Sequence, residues 1–225
     1  DPQKMHAGAV SGGLWRSVTG GVTWVRATTQ LASDDNLAVT CITQAANGDI
    51  YIGTGESFAG SGGSGGGYGS TAFIGKGIWK STDGINFNRL PSTVPTDTNN
   101  SSVEWAFVNR LATDPTDAGR IYAAISKGLR VSDNGGSSWS IATYCADPPA
   151  CNVILPLSPI LDVKVGSDGS VFAAASGSVF YSATGDVDSY VNITTNIPSL
   201  SGVGRIELAI APSNPDYIYC TATKG

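Results

Sequence analysis

The stretch Gly77-Ile78-Trp79-Lys80-Ser81-Thr82-Asp83-Gly84-Ile85-Asn86-Phe87 reads as a short apolar strand, a tight polar turn and an aromatic at the start of the next strand. A serine followed two residues later by a carboxylate places two side-chain acceptors beside the backbone N–H groups of a hairpin, and the glycine takes the positive φ that a tight turn demands. The aromatic then packs beneath. The same layout recurs in Gly13-Leu14-Trp15-Arg16-Ser17-Val18-Thr19-Gly20-Gly21-Val22-Thr23-Trp24. It returns in Gly128-Leu129-Arg130-Val131-Ser132-Asp133-Asn134-Gly135-Gly136-Ser137-Ser138-Trp139, and in Ser178 to Tyr190 with Ser182, Thr184 and Gly185 in the turn. The four serines are spaced by 64, 51 and 50 residues, so the chain is an internal repeat.

A second element precedes each turn. Asn47-Gly48-Asp49-Ile50-Tyr51-Ile52-Gly53-Thr54, Ala118-Gly119-Arg120-Ile121-Tyr122-Ala123-Ala124, Asp168-Gly169-Ser170-Val171-Phe172-Ala173-Ala174 and Pro215-Asp216-Tyr217-Ile218-Tyr219-Cys220-Thr221 each read as a turn and then a strand. Further apolar runs, such as Val108 to Ala112 and Ile160 to Val165, stand ahead of them. Each period thus holds about four short strands, the content of one β-propeller blade. The expected fold is all-β: a partial propeller of four-stranded antiparallel blades over residues 1–225. Approximate blades fall at 1–27, 38–91, 104–143 and 159–195, with the start of another at 203–225. Asp1-Pro2 aligns with Asp114-Pro115, so the first blade enters just before its second strand. The remainder of the ring is expected in the same or another chain.

Composition agrees with this reading. Charged residues make up only 14% of the 225, and there are 29 glycines, which favours turns and strands over long amphipathic helices. A net charge of −5, with 13 scattered basic residues, argues against nucleic acid as a partner. No run approaches the roughly 18 apolar residues of a membrane helix, so no membrane insertion is expected. Cys145 and Cys151 flank a Pro-Pro turn that can bring them together as a disulfide, whereas Cys41 and Cys220 lie in apolar strand-like runs and are left unpaired.

The turn pattern Ser-x-Asp-x-Gly-x-Thr-Trp resembles the Asp box of sialidases, sortilins, xyloglucan-cleaving glycosidases and photosystem assembly factors. The copies are degenerate: Thr19 and Thr184 stand at the Asp position, Asn134 replaces it in the third, and the second keeps Asp83 in a turn one residue shorter. The structural Asp-box set is Ser17, Thr19, Trp24, Ser81, Asp83, Phe87, Ser132, Asn134, Trp139, Ser182, Thr184 and Tyr190. More closely, Ala9 to Ser17, Asp49 to Glu56 and Gly77 to Gly84 resemble sortilin-type propellers in large secreted proteins of Bacteroidetes. That resemblance implies an extracellular or cell-surface location and export by type IX secretion.

Catalytic chemistry finds little support. His6 falls where other repeats place Tyr51, Tyr122 or Phe172 and reads as a packed strand residue. The Gly60 to Gly65 pattern is followed by no amphipathic helix and is no dinucleotide site, and no ligand spacing suggests a metal. No catalytic residue and no cofactor is expected. The favoured function is a noncatalytic extracellular binding, adhesion or scaffold module of a larger protein; the alternative is part of a glycan-cleaving, sialidase- or xyloglucanase-like hydrolase. Antiparallel blades put the short turns on one face and the long connections on the other, among them Thr28 to Ala38, Gly55 to Lys76, Pro91 to Glu104 and the Cys145 to Cys151 loop. A protein or glycan ligand is expected there, with Glu56, Phe58, Tyr68, Phe73 and Trp105 as contacts.

Overall fold

The computed structural model describes residues 1–29, 37–57, 73–145, 153–154, 159–194 and 203–224. The repeat folds as a series of small twisted sheets. The first is β1 (Met5–Ala9), β2 (Gly13–Ser17) and β3 (Val25–Arg26), in that order. Next, β4 (Thr28–Thr29) leads to β5 (Val39–Gln44), β6 (Ile50–Thr54), β7 (Ile78–Ser81) and β8 (Asn86–Arg89), which meander from the axis outward. The third sheet is β9 (Val108–Thr113), β10 (Ile121–Ile125), β11 (Gly128–Ser132) and β12 (Ser140–Ile141). After β13 (Thr143–Cys145) and β14 (Val153–Ile154), the fourth comprises β15 (Ile160–Val165), β16 (Val171–Ala175), β17 (Ser178–Ser182) and β18 (Tyr190–Asn192). A two-stranded sheet, β19 (Val203–Ile210) with β20 (Ile218–Lys224), follows. Among the described residues the helical content is one 3₁₀ turn, Pro91–Thr93.

Radial stacking explains the sequence pattern of the second strands. A half-buried strand alternates apolar and polar residues, but β10 and β16 are buried at every position, because a sheet packs on each face. Ile121, Ala123 and Ile125 point into a cluster with Tyr51, Ile78 and Cys41 of the second sheet. Their alternates Tyr122 and Ala124 join Ile160, Val163, Val171, Ala173, Phe180 and Tyr190 of the fourth. Leu14 and Ala27 meet Val39, Ile52, Trp79 and Phe87 between the first two sheets, and Phe172, Ala174 and Val179 meet Val203, Ile206 and Leu208 between the last two. Period-two geometry thus splits each strand between two inter-sheet cores. Small residues permit the close approach near the axis: a Cβ on Gly53 would sit 2.5 Å from Cys41 Sγ and 2.6 Å from Val108 Cγ1.

The arc is open. Met5, Trp15, Val25 and the closing Trp24 are exposed on the first sheet, and Tyr217 and Tyr219 on the last. By contrast, the closing aromatics Phe87 and Tyr190 are buried, because each has a neighbouring sheet beneath it.

Two features depart from a purely antiparallel meander. β4 lies parallel to β8 and β13 parallel to β18, so two segments leaving one sheet add a further strand to the outer edge of the next. Such pairs cover outer edges that would otherwise carry unpaired backbone groups. Their two- and three-residue length leaves no periodicity to read. The expected Cys145–Cys151 bond lies outside the described residues; Cys41 is free and buried, with its thiol pushed up to about 11 by burial, and Cys220 is free and exposed.

Candidate functional site

Each turn between the two outer strands is held by its serine. Ser81 Oγ accepts from Gly84 N (2.9 Å) and donates to Asp83 Oδ1 (2.9 Å), while Asp83 Oδ1 accepts from Ile85 N and Asn86 N, both at 2.8 Å. Ser132 Oγ accepts from Asn134 N and Gly136 N, and Asn134 Oδ1 takes Ser138 N at 2.9 Å. Ser17 Oγ takes Thr19 N and Gly21 N, and Ser182 Oγ takes Thr184 N and Gly185 N. The backbone N–H groups of Asn86 and Ile85 hold the Asp83 carboxyl far below the usual carboxylate range. These polar side chains are thus used up in holding backbone.

The same turns lock neighbouring sheets, which sequence reading missed. His6 Nε2 lies 2.9 Å from Gly84 O, and Tyr51 Oη donates to Gly135 O at 3.3 Å. Each comes from the second residue of a second strand and reaches the turn of the following sheet. Tyr122 occupies the equivalent place, where a Cβ on Gly185 would lie 2.0 Å from its hydroxyl oxygen; burial pushes this phenol up to about 12. His6 also meets Phe87 edge-on at 5.9 Å. Its equivalence with Tyr51 and Tyr122 was legible in the repeat, but the cross-sheet acceptor was not.

On the opposite face the starts of the innermost strands converge. Thr40 of β5, Asn109 and Arg110 of β9, Leu161 of β15 and Arg205 of β19, with Gly55, Glu56 and Ser57 just after β6, line a polar recess of about 90 Å³. Arg110 and Arg205 tie this recess to a charge network across the innermost strands. Arg110 Nε donates to Asp162 Oδ1 (3.1 Å) and Arg110 Nη2 to Glu207 Oε2 (3.0 Å), while Lys164 Nζ lies 3.0 Å from Asp162. Asp162, fully buried, also accepts from Val163 N and Leu208 N, so it anchors three innermost strands at once. Ser57 Oγ donates to Asn109 Oδ1 (2.9 Å), whose amide donates in turn to Ile160 O (2.8 Å). An isolated charge of this kind would be costly in the interior; paired and hydrogen-bonded on every side, it is a rigid platform.

Of the residues singled out in the sequence, Glu56 lines this recess, and its backbone pairs with Phe73 through N–H···O bonds of 2.9 and 3.1 Å. Phe73 is half exposed beside it. Phe58 and Tyr68 lie outside the described residues. Trp105 is corrected: at 6% exposure it is a core residue, its ring tilted against that of Trp139 at 5.2 Å, and its backbone takes the left-handed φ of +66°. A segment rich in Ser, Asn and Thr before it made it look like an exposed loop aromatic; it does lie in the connection, but the apolar partners that bury it come from the second and third sheets. Asn109, Arg110, Asp162, Arg205 and Glu207 were not read as one site, since they are spread over three innermost strands and only the radial arrangement gathers them.

Comparison with known proteins supports the fold alone. The chain is similar to an ancestral GH74 enzyme (TM-score 0.61, 18% identity), covering 94% of this chain and 26% of that one. It is also similar to YCF48 bound to a peptide (0.54, 11% identity; 92% and 56%). A third likeness is to the extracellular domain of a one-component system from B. thetaiotaomicron (0.55, 15% identity; 91% and 24%). The protein is a β-propeller portion, and it spans about a quarter to somewhat over half the length of these structures. No family of known proteins matches the sequence, and no curated protein matches it.

Proposed function

We propose that the chain is a noncatalytic binding module of a larger secreted or cell-surface protein, of the sortilin-like Asp-box type, which takes a protein or glycan ligand on the face carrying the long connections. One observation carries the reading: innermost strands of four sheets converge on one recess, three of them bringing polar side chains, and the base of the Gly-rich insertion, Glu56 paired with Phe73, stands at its rim. A polar recess with an exposed aromatic beside it suits recognition, because the polar groups fix orientation and the ring supplies contact area. The peptide-bound YCF48 structure shows a propeller of related fold holding a peptide. The resemblance to secreted proteins favours an extracellular location, where the Cys145–Cys151 disulfide would form. The exposed apolar faces at both ends of the arc fit contact with further blades.

The hydrolase alternative needs a free acid, whereas Asp162 is tied to Arg110 and Lys164 and Glu207 to Arg110 and Arg205. The test is a screen of glycans and peptides against the purified protein, followed by Glu56→Gln and Phe73→Ala. Both variants should lose binding, by roughly tenfold if each removes 1 to 2 kcal/mol of contact, with an unchanged melting temperature. Binding that survives both substitutions, or turnover of sialosides or β-glucans, overturns the reading.

A further inference from the structure

A second cleft lies between the first and second sheets on the face of the serine turns, about 430 Å³ in volume. Lys4, His6 and Arg16 line it from the first sheet, Ile50 and Asp83 from the second. Its volume suits a ligand of one or two small rings.

The charges of this cleft differ from those at equivalent places elsewhere in the repeat. In the second sheet Asp49 and Lys80 occupy the positions of Lys4 and Arg16, and they form an ion pair of 2.8 Å with Lys80 also over the Tyr51 ring at 5.3 Å. In the third, Arg120 takes the position of Lys4 and is matched by Asp186 at 2.7 Å and Asp133 at 3.2 Å. The first sheet instead places two cations together. The Arg16 guanidinium has no hydrogen-bond or ion-pair partner among the described residues, and its Nε is buried with its N–H unmatched. A buried donor without an acceptor costs on the order of 1–3 kcal/mol, so the site favours an incoming acceptor. The two carboxylates that line the cleft are already engaged, Asp83 in its turn and Asp1 with Gln3 N. His6, held to Gly84 O, ties the two walls together.

We propose that this cleft binds the carboxylate of a small organic acid, with the planar fork of Arg16 as the principal donor and the Lys4 ammonium as the second cation. A guanidinium meets a carboxylate by two parallel N–H···O bonds, and inorganic oxyanions, which it can meet in the same way, lack the carbon frame that the rest of the cleft would cover. Val18, Ile50 and Ile85 supply an apolar wall for the carbon frame. The site is independent of the recess on the other face.

Calorimetric titration of the purified protein with sodium glucuronate tests this, using glucose as the neutral analogue and sulfate and phosphate as competitors. Glucuronate should bind saturably and glucose should not. Arg16→Gln should weaken binding roughly tenfold or more, the scale of losing charge-assisted hydrogen bonds, and Arg16→Lys should fall between. Lys4→Gln, at an exposed position, should weaken it several-fold and stands in should Arg16→Gln fail to fold, while Lys127→Gln on the opposite face should leave it unchanged. No anion binding, glucose binding as tightly as glucuronate, or affinity untouched by both Arg16→Gln and Lys4→Gln overturns the site; sulfate or phosphate binding as tightly as glucuronate overturns the carboxylate assignment.

Discussion

The two faces of the arc solve different problems with the same strands. On one, four serine-anchored turns repeat one hydrogen-bond scheme, and side chains from a preceding sheet latch onto the next turn through Gly84 O and Gly135 O. On the other, the connections vary: one carries a Gly-rich insertion, one a 3₁₀ turn, and two lay a short strand parallel on the outer edge of the next sheet. Uniform chemistry on the turn face sets blade spacing, which leaves the connections free to vary. The contrast separates scaffold from recognition, and each half can be attacked by itself.

The largest effect should come from the turn face. Ser132 is 1% exposed, and its Oγ is the acceptor for the buried N–H of Gly136 as well as that of Asn134. Ser132→Ala therefore strands buried donors and should cost about 1–3 kcal/mol, read as a lower melting temperature and denaturant midpoint with unchanged ligand binding. A loss within experimental error would show that the serine is decorative and would dissolve the contrast.

A smaller effect distinguishes a charged turn from a neutral one. Asp83 and Asn134 occupy matched positions and each accepts turn N–H groups through Oδ1, two for Asp83 and one for Asn134, but only Asp83 titrates. Because backbone N–H donors depress its folded pKa, its contribution is complete above the ordinary carboxylate value of about 3.9 and is lost as pH falls below that toward the folded value. Asp83→Asn should thus leave a stability gap to the wild type that narrows as pH drops from about 5 to about 2. Melting temperatures taken across that range check it; a gap constant with pH would mean that the carboxylate charge contributes nothing.

The difference between the faces also sets how much was legible. Strand order, turn positions and the small residues of β6, β10 and β16 were written in the repeat, since every blade must satisfy the same local turn and the same two-sided burial. The axial recess and the charge network joined to it were almost invisible because Arg110, Asp162 and Glu207 belong to three sheets and share no spacing. Trp105 was misplaced for a related reason: its burial depends on Trp139, 34 residues away in sequence, and not on its polar neighbours. The latch partners of His6 and Tyr51 lie 78 and 84 residues off and follow only once the sheets are stacked.

The smallest effect on stability should come from the connection face, where removing Ala59 to Gly69 is expected to leave the melting temperature nearly unchanged. The reason is the base of the insertion. Glu56 and Phe73 exchange two backbone hydrogen bonds, and Gly55 N reaches Ala38 O and Gly75 N reaches Ala106 O, at 2.9 and 2.7 Å. Those bonds fix where the segment leaves and rejoins the sheet, so shortening what lies between alters only loop-closure entropy, which changes by about 0.6 kcal/mol for each twofold change in length. Binding is the property that should fall, because the insertion is rooted at the rim of the axial recess. Thermal melts and binding measured on the same deletion give a two-way readout: lost stability would make the insertion part of the scaffold, and intact binding would move recognition elsewhere on the arc.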